Sequence, residues 1–121
     1  MNAHDPTRLL PLKNEILWLL LALHDGPMHG YGLMREVEDR TEATVRIQTG
    51  ALYRFLHRML GDGLVVETDA PRSATDARRR YYRITALRSA VLEAELERMR
   101  RLVASGVRRG LIVGPLPREA R

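Results

Sequence analysis

Hydrophobic residues recur at helical spacing most clearly between residues 52 and 60. The apolar positions, at i, i+3, i+4, i+7 and i+8, are Leu52, Phe55, Leu56, Met59 and Leu60. This spacing predicts a helix with one core-facing stripe. Thr49 is a favourable N-cap residue, and "GDG" at residues 61–63 predicts the end of the helix.

Two further helices are predicted upstream. In residues 12–23 the apolar positions cover nearly the whole circumference, with Leu17, Trp18 and Leu21 lying off the main stripe. Because one small core covers only one face of a helix, the second face predicts contact with a partner helix, and hence a dimer. "DGP" at residues 25–27 predicts the helix end, and "HGYGLMREVEDR" at residues 29–40 predicts a shorter second helix.

Extended segments are predicted on either side of the clearest helix. "LVVET" at residues 64–68 and "RRYYRIT" at residues 79–85 are rich in β-branched and aromatic residues, and turn formers lie between them. They predict a β-hairpin in which Tyr82 and Ile84 face the core while Tyr81 faces outward. The alternation in "TVRIQT" at residues 44–49 predicts another minimal strand.

The last helix is predicted from residue 87, with an apolar seam formed by Leu92, Leu96, Met99 and Val103. The chain offers no further domain for this seam, which therefore indicates a partner. Three helices followed by a hairpin is the order of a winged helix-turn-helix, mainly α (α+β), with a two-stranded wing and a C-terminal dimerisation helix. We expect a flexible arm at 1–11, the winged domain at 12–86, the dimerisation helix at 87–106 and a tail at 107–121.

The charge pattern indicates an anionic partner. The formal net charge is +5 and the pI is near 10.4, and Lys13 is the only lysine, so the basic residues are otherwise arginines, which suit phosphates and guanine edges. A GC-rich genome is an alternative cause of this bias. The third helix shows small and basic residues opposite its core stripe: Gly50, Ala51, Arg54, His57 and Arg58.

Several function classes lack their signatures. Without cysteine the chain has no disulfide, thiolate chemistry or Cys-ligated zinc, and no enzyme motif is found, so neither catalysis nor a cofactor is expected. His24 and His29 flank a turn without a nearby ligand set, which favours a cap or turn role over a metal site. The longest apolar run, residues 16–23, is too short for a membrane span, and we expect a cytoplasmic protein.

Three motifs in register resemble the PadR-like transcriptional regulators. They are "LHDGPMHGYGLMREVE", "TGALYRFLHRMLGDGLV" and "RRRYYRIT", and the resemblance covers roughly residues 14–103. It implies a homodimeric repressor of the short-tailed kind, which pairs its last helix with the partner's first helix and binds an inverted repeat. Two positions depart from the family pattern: Arg54 replaces a proline, and "ITALRSA" lacks a glycine after the wing.

The resemblance and the face of the third helix together give the expected contacts. The residues expected to contact double-stranded DNA are Tyr31, Gln48, Thr49, Gly50, Ala51, Tyr53, Arg54, His57, Arg58, Arg72, Arg78 and Arg79. The residues expected at the dimer interface are Leu17, Trp18, Leu21, Leu92, Leu96, Met99 and Val103.

Family dimers also bind planar aromatic molecules between their first and last helices. The resemblance therefore implies a pocket at Trp18 and Met99 for a small aromatic effector, against the alternative that Trp18 is a core residue. The alternative to a DNA-binding regulator is a protein-interaction module: a winged-helix adaptor whose basic face binds an acidic protein without binding DNA.

Overall fold

The computed structural model describes residues 5–72, 74, 78–115 and 117–118. The elements of this described part, in chain order, are a 3-10 helix Pro6–Leu9, α1 Asn14–His24, β1 Met28–His29, α2 Gly30–Arg40, α3 Thr49–Gly61, β2 Val65–Thr68, β3 Tyr81–Ile84 and α4 Ala86–Arg108. Helices dominate and are joined by a small antiparallel sheet, two of whose strands follow α3, so the mainly α winged-helix architecture is confirmed. No described helix is both long and apolar enough to cross a bilayer.

The sheet has the strand order β1-β3-β2 and is antiparallel throughout. The hairpin of β2 and β3 is the predicted wing, but a third strand of two residues, Met28–His29, pairs with the other edge of β3. Tyr81 was predicted to face outward, and this is wrong: it is 5% exposed, and the ring of His29, its partner on β1, packs edge-on against its ring at 5.3 Å.

The strand predicted at residues 44–49 is also wrong, since the structure gives these residues no strand assignment. The amide of Val45 donates to the hydroxyl of Thr41 over 3.1 Å instead of to a neighbouring strand. Val45 and Ile47 nevertheless pack against the core. Their alternation with polar residues therefore reflects an extended linker that is buried on one side.

The core lies between the helices. Leu52, Leu56 and Met59 of α3 are at most 1% exposed, as the stripe predicted. At the end of α3, Gly63 has φ 77° and the amide of Leu64 donates to the carbonyl of Met59, which is the hydrogen bond of a Schellman cap. The N-cap is Gln48, not Thr49 as predicted, and the Gln48 side chain makes no capping hydrogen bond.

The residues after α2 hold an unusual backbone conformation, because Glu42 and Ala43 have φ values of 51° and 64°. A left-handed conformation costs a non-glycine residue about 1–2 kcal/mol, which a glycine would not lose. Part of this gain is offset, because a glycine makes the unfolded chain more flexible and so favours unfolding. We therefore expect Ala43→Gly to raise the free energy of unfolding by about 0.5–1 kcal/mol in denaturant titrations. The matched change Ala104→Gly, in an exposed turn of α4, should lower it by about 1 kcal/mol; equal signs for the two variants would contradict this account.

Helix α4 is longer than predicted, and Gly106 does not end it. The helix continues to Arg108, and Gly110, with φ 74°, forms the cap while the amide of Leu111 donates to the carbonyl of Gly106. Ile112 folds back so closely that a Cβ on Gly106 would lie 3.1 Å from its Cδ1 atom. The first two residues of the expected tail are therefore helical.

The expected arm is partly ordered by α4. Within residues 5–11, Pro6–Leu9 forms a 3-10 helix, and Leu9 and Leu10 pack against the core; residues 1–4 lie outside the described part. The fully buried Glu95 of α4 accepts hydrogen bonds from the amide of Leu12 over 2.6 Å and from Nε of Arg98. This carboxylate ties the N-terminal segment to α4.

Glu95 should make stability depend on acid pH. Burial alone would raise the pKa of Glu95, but the hydrogen bonds from Arg98 and Leu12 and the charge of Arg98 together lower it. Because the folded-state pKa lies below the unfolded one, the stabilisation is present above the unfolded value and is lost as pH falls through the folded value.

We expect Glu95→Gln to lose roughly 1–3 kcal/mol of unfolding free energy at pH 7, and to show a weaker further loss on acidification. Denaturant unfolding at several pH values measures both effects. The exposed Glu93→Gln serves as the control and should resemble the wild type. Wild-type stability of Glu95→Gln at pH 7 would contradict the role of this carboxylate.

Candidate nucleic-acid interface

The outward face of α3 is exposed as expected. With the core stripe turned inward, the exposed residues of this face and its N-cap are Gln48, Thr49, Gly50, Tyr53, Arg54, His57 and Arg58. Ala51 is the exception, since it is partly buried and packs against the core. The side chain of Gln48 accepts no hydrogen bond from the first-turn amides of α3, which a helix start leaves without partners inside the helix.

The two arginines of α3 differ in their surroundings. Arg58 faces Asp62, with 3.8 Å between Nε and Oδ2, so its charge is partly balanced. Arg54 forms no ion pair with any carboxylate of the described residues, and it extends back over Gly50, where Nη1 lies 3.6 Å from the position of a Cβ atom. Arg54 is therefore the more available cation at the start of α3.

The start of α2 carries an aromatic cluster. His29 caps the helix, its Nδ1 accepting from the amide of Gly32 over 3.0 Å, which confirms the predicted cap role. Its ring stacks on Tyr31 at a centroid distance of 6.5 Å and meets Tyr81 edge-on at 5.3 Å. Tyr31 itself is 51% exposed. The cluster thus joins α2 to the sheet while leaving one phenol accessible.

The base of the wing is basic and exposed. Arg72, Arg78, Arg79 and Arg80 are all exposed, whereas the expected tip residues 73 and 75–77 lie outside the described residues. Arg80 faces Glu67 of β2 at 3.5 Å. Burial, followed by the charge of Glu67, raises the pKa of Tyr82 beside it. Arg78 and Arg79 lie directly before β3, at the base of the wing.

A cleft brings together residues that are distant in sequence. It is lined by His29, Gly30, Tyr31, Tyr53, Arg79 and Arg80. A Cβ atom on Gly30 would lie 3.0 Å from the hydroxyl of Tyr53, so the lack of a side chain at Gly30 allows Tyr53 to approach α2. Cationic and phenolic groups that face one opening are suited to bind an oxyanion such as a phosphate.

The expected DNA contacts did not include His29, Gly30 and Arg80, which line this cleft, or Arg35, which contacts Tyr31. Arg35 lies one turn after Tyr31, and its Nη1 donates to the phenol oxygen over 3.3 Å, which raises the pKa of Arg35 further. His29 was assigned only a cap. The four-residue spacing of Tyr31 and Arg35 on one helix face was the available signal.

The expected dimer residues fall into three groups. Leu17 and Leu92 are each only 5% exposed within the protomer, so they have little surface left to bury against a partner. Trp18, Leu21 and Met99 are partly buried against the core, and Leu96 and Val103 are 41% and 36% exposed. Other exposed apolar residues on α4 are Leu102 and Val107.

Trp18 lines a pocket in which Met99 takes no part. The open pocket beside Trp18 is lined by Arg40, Thr41, Glu42, Thr44, Pro117 and Arg118 as well. Met99 is not among its lining residues. Arg40 is held here by Asp25, by Glu36 at 3.0 Å and by the carbonyl of Leu21 at 3.3 Å.

Comparisons with known proteins agree with this geometry. The model of the transcriptional regulator PadR-like family matches residues 19–94, whereas no curated protein matches the chain. A PadR family transcription regulator from Clostridium difficile shares 19% identity with a TM-score of 0.67, over 79% of this chain and 97% of its own.

Two other solved structures share the fold. A transcriptional regulator from Clostridium thermocellum is 21% identical, with a TM-score of 0.64 over 78% of this chain and 87% of its own. A PadR-like transcription factor from Bacteroides fragilis is 23% identical, with a TM-score of 0.58 over 78% of this chain and 86% of its own. The family match spans more than half of the chain, and the chain therefore belongs to the PadR-like family of DNA-binding transcriptional regulators.

Proposed function

We propose that the protein is a cytoplasmic homodimeric repressor that binds an inverted repeat in double-stranded DNA. The observation that supports this most strongly is the placement of the outward face of α3 and the cleft of Tyr31, Tyr53 and Arg79 around one surface, because the cleft joins α2, α3 and the base of the wing. A recognition helix flanked by phosphate-binding groups is the arrangement by which winged helices bind a major groove and its adjacent backbone.

The contacts divide into two kinds. Base edges are read from α3, by Arg54, His57, Arg58 and the polar residues Gln48 and Thr49, while Gly50 and Ala51 allow the helix to approach the groove. Backbone phosphates are bound by Arg72, Arg78 and Arg79, with a hydrogen bond from the phenol of Tyr53, and the ring of Tyr31 lies against Arg79. The phosphate contacts supply affinity, and the α3 contacts supply sequence preference.

The dimer is proposed to form through α4 and the outer face of α1. Leu96 and Val103 remain exposed on α4 at a spacing of seven residues, and Val107 extends the same stripe. Trp18 and Leu21 of α1, with Met99 of α4, are partly exposed and complete this surface. Two copies would present two α3 helices, which matches the symmetry of an inverted repeat.

Release by a small planar aromatic effector is a further part of the proposal, and Trp18 is the residue that would stack on it. Within one protomer Met99 lies outside the pocket beside Trp18, so a site containing both residues requires the dimer. Because Trp18 is the only tryptophan of the chain, quenching of its fluorescence by such compounds would report binding directly.

Titration of DNA fragments at several salt concentrations tests the proposed function. A fragment of the intergenic DNA beside the gene should retain the protein in the presence of competitor DNA, with an affinity that falls steeply as salt rises. Losing the phosphate contact of Arg79 in Arg79→Ala should lower the salt slope by about 1. Equal affinity for the fragment and the competitor would contradict the proposal, and a stable complex with an acidic protein in its place would favour the adaptor.

A further inference from the structure

Two arginines lie on the ring of Tyr31. The guanidinium carbon of Arg79, from the wing, is 5.3 Å from the ring centroid, and that of Arg35, from α2, is 5.8 Å from it. Both distances are within the ~6 Å over which a cation is attracted to an aromatic face. One ring therefore contacts the wing and α2 at the same time.

The ring of Tyr31 is itself held in place. It stacks nearly parallel to His29, with an interplanar angle of 6°, and His29 is fixed by its hydrogen bond to the amide of Gly32. His29 also faces Nη1 of Arg79 at 3.4 Å and packs edge-on against Tyr81. These contacts connect Tyr31 to β1 and β3, so its ring offers Arg79 a fixed surface.

We infer that Tyr31 is a positioning residue for Arg79, acting through its aromatic ring rather than through its hydroxyl group. The inference rests on the proposed function, in which Arg79 binds a DNA phosphate. An exposed arginine has many rotamers, and ordering them on binding lowers affinity. A ring that already holds the guanidinium near the cleft reduces that entropic cost and fixes the base of the wing relative to α2.

A double-mutant cycle on a DNA fragment tests this role. Tyr31→Phe keeps the ring and should bind within about twofold of the wild type, whereas Tyr31→Leu should weaken binding about fivefold. The double variant Tyr31→Leu/Arg79→Ala should bind no more weakly than Arg79→Ala alone, because the ring acts only through Arg79. Although it removes no charge, Tyr31→Leu should also lower the salt slope by up to about 1, which a general loss of folded protein would not do.

Tyr53→Leu is the matched control, since Tyr53 lines the same cleft, whereas the aromatic ring on which Arg79 lies is that of Tyr31. The fold-decrease in DNA affinity caused by Tyr53→Leu should multiply with the fold-decrease caused by Arg79→Ala when the two are combined. If Tyr31→Phe and Tyr31→Leu weaken DNA binding equally, the inference is overturned in favour of a hydroxyl contact with DNA. If the affinity losses of Tyr31→Leu and Arg79→Ala multiply in the double variant, it is overturned in favour of independent contacts. A wild-type protein that binds no DNA would overturn the proposed function and this inference together.

Discussion

The Val103→Asp protein is expected to be a folded monomer that binds its operator more than about 100-fold more weakly than the wild type. Val103 lies between Leu96 and Val107 on the exposed apolar stripe of α4, and none of the three is needed to fill the protomer's core. A carboxylate there would be buried without a partner at the proposed interface, which costs several kcal/mol. Losing the second half-site removes the ~10²–10⁴-fold gain from linking two binding modules.

Light scattering measures the mass, and a DNA titration measures the affinity. Ala104→Asp is the matched control, because it adds the same charge one residue later on the side of α4 that carries Arg100 and Arg101, both exposed. It should remain dimeric and bind DNA nearly as the wild type does. A Val103→Asp dimer, or a wild-type monomer, would contradict the interface proposed on α4.

Arg54→Ala is expected to weaken binding to the operator by about 10–100-fold and binding to unrelated DNA by only a few-fold. A side chain that contacts a guanine edge contributes roughly 1–3 kcal/mol of discrimination, whereas a phosphate contact affects all sequences alike. Arg54 is the cation near the start of α3 that no described carboxylate balances. Its loss should therefore reduce sequence preference more than overall affinity.

Two further arginine variants sharpen this measurement. Arg101→Ala removes the same charge from an exposed position on α4 and should leave both affinities nearly unchanged. Arg58→Ala should have a smaller effect than Arg54→Ala, because Arg58 already faces Asp62. An equal loss on operator and unrelated DNA would show that Arg54 contacts only phosphate.

The elements with one exposed face could be predicted from the sequence. Helix α3 and its glycine cap at Gly63 follow from a regular stripe and a residue that tolerates positive φ. Tyr81 was misplaced because strand alternation assumes that one face of the sheet is exposed to solvent. The two-residue strand β1, too short to leave a periodic signal, brings the ring of His29 against Tyr81. In the same way, the alternation of Val45 and Ile47 arises from burial and not from pairing.

Buried charges gave no signal in the sequence. Glu95 lies on a helix rich in charged residues, and only the tertiary fold places it against the amide of Leu12. Arg88 is 7% exposed, with Nη1 at 3.5 Å from the ring of His24, and burial lowers its pKa. Such groups are recognised only when the position of a neighbouring segment is known.

The candidate site was predictable as a set of residues but not as an arrangement. The face of α3 and the basic wing follow from periodicity and charge. The meeting of Tyr31, Tyr53 and Arg79 depends on the close approach that Gly30 allows and on the path of the wing. The sequence also could not show that Leu17 and Leu92, expected at the dimer interface, lie in the protomer's own core.

Hydroxyl-radical footprinting of the wild-type protein on the intergenic DNA beside its gene tests the central claim most directly. A dimer that places one α3 in each of two major grooves predicts two symmetric protected segments, with centres about 10–10.5 base pairs apart or a multiple of this. The protection should persist in competitor DNA and saturate at two chains per site. A single unsymmetrical segment, or protection that competitor DNA removes, would contradict the account.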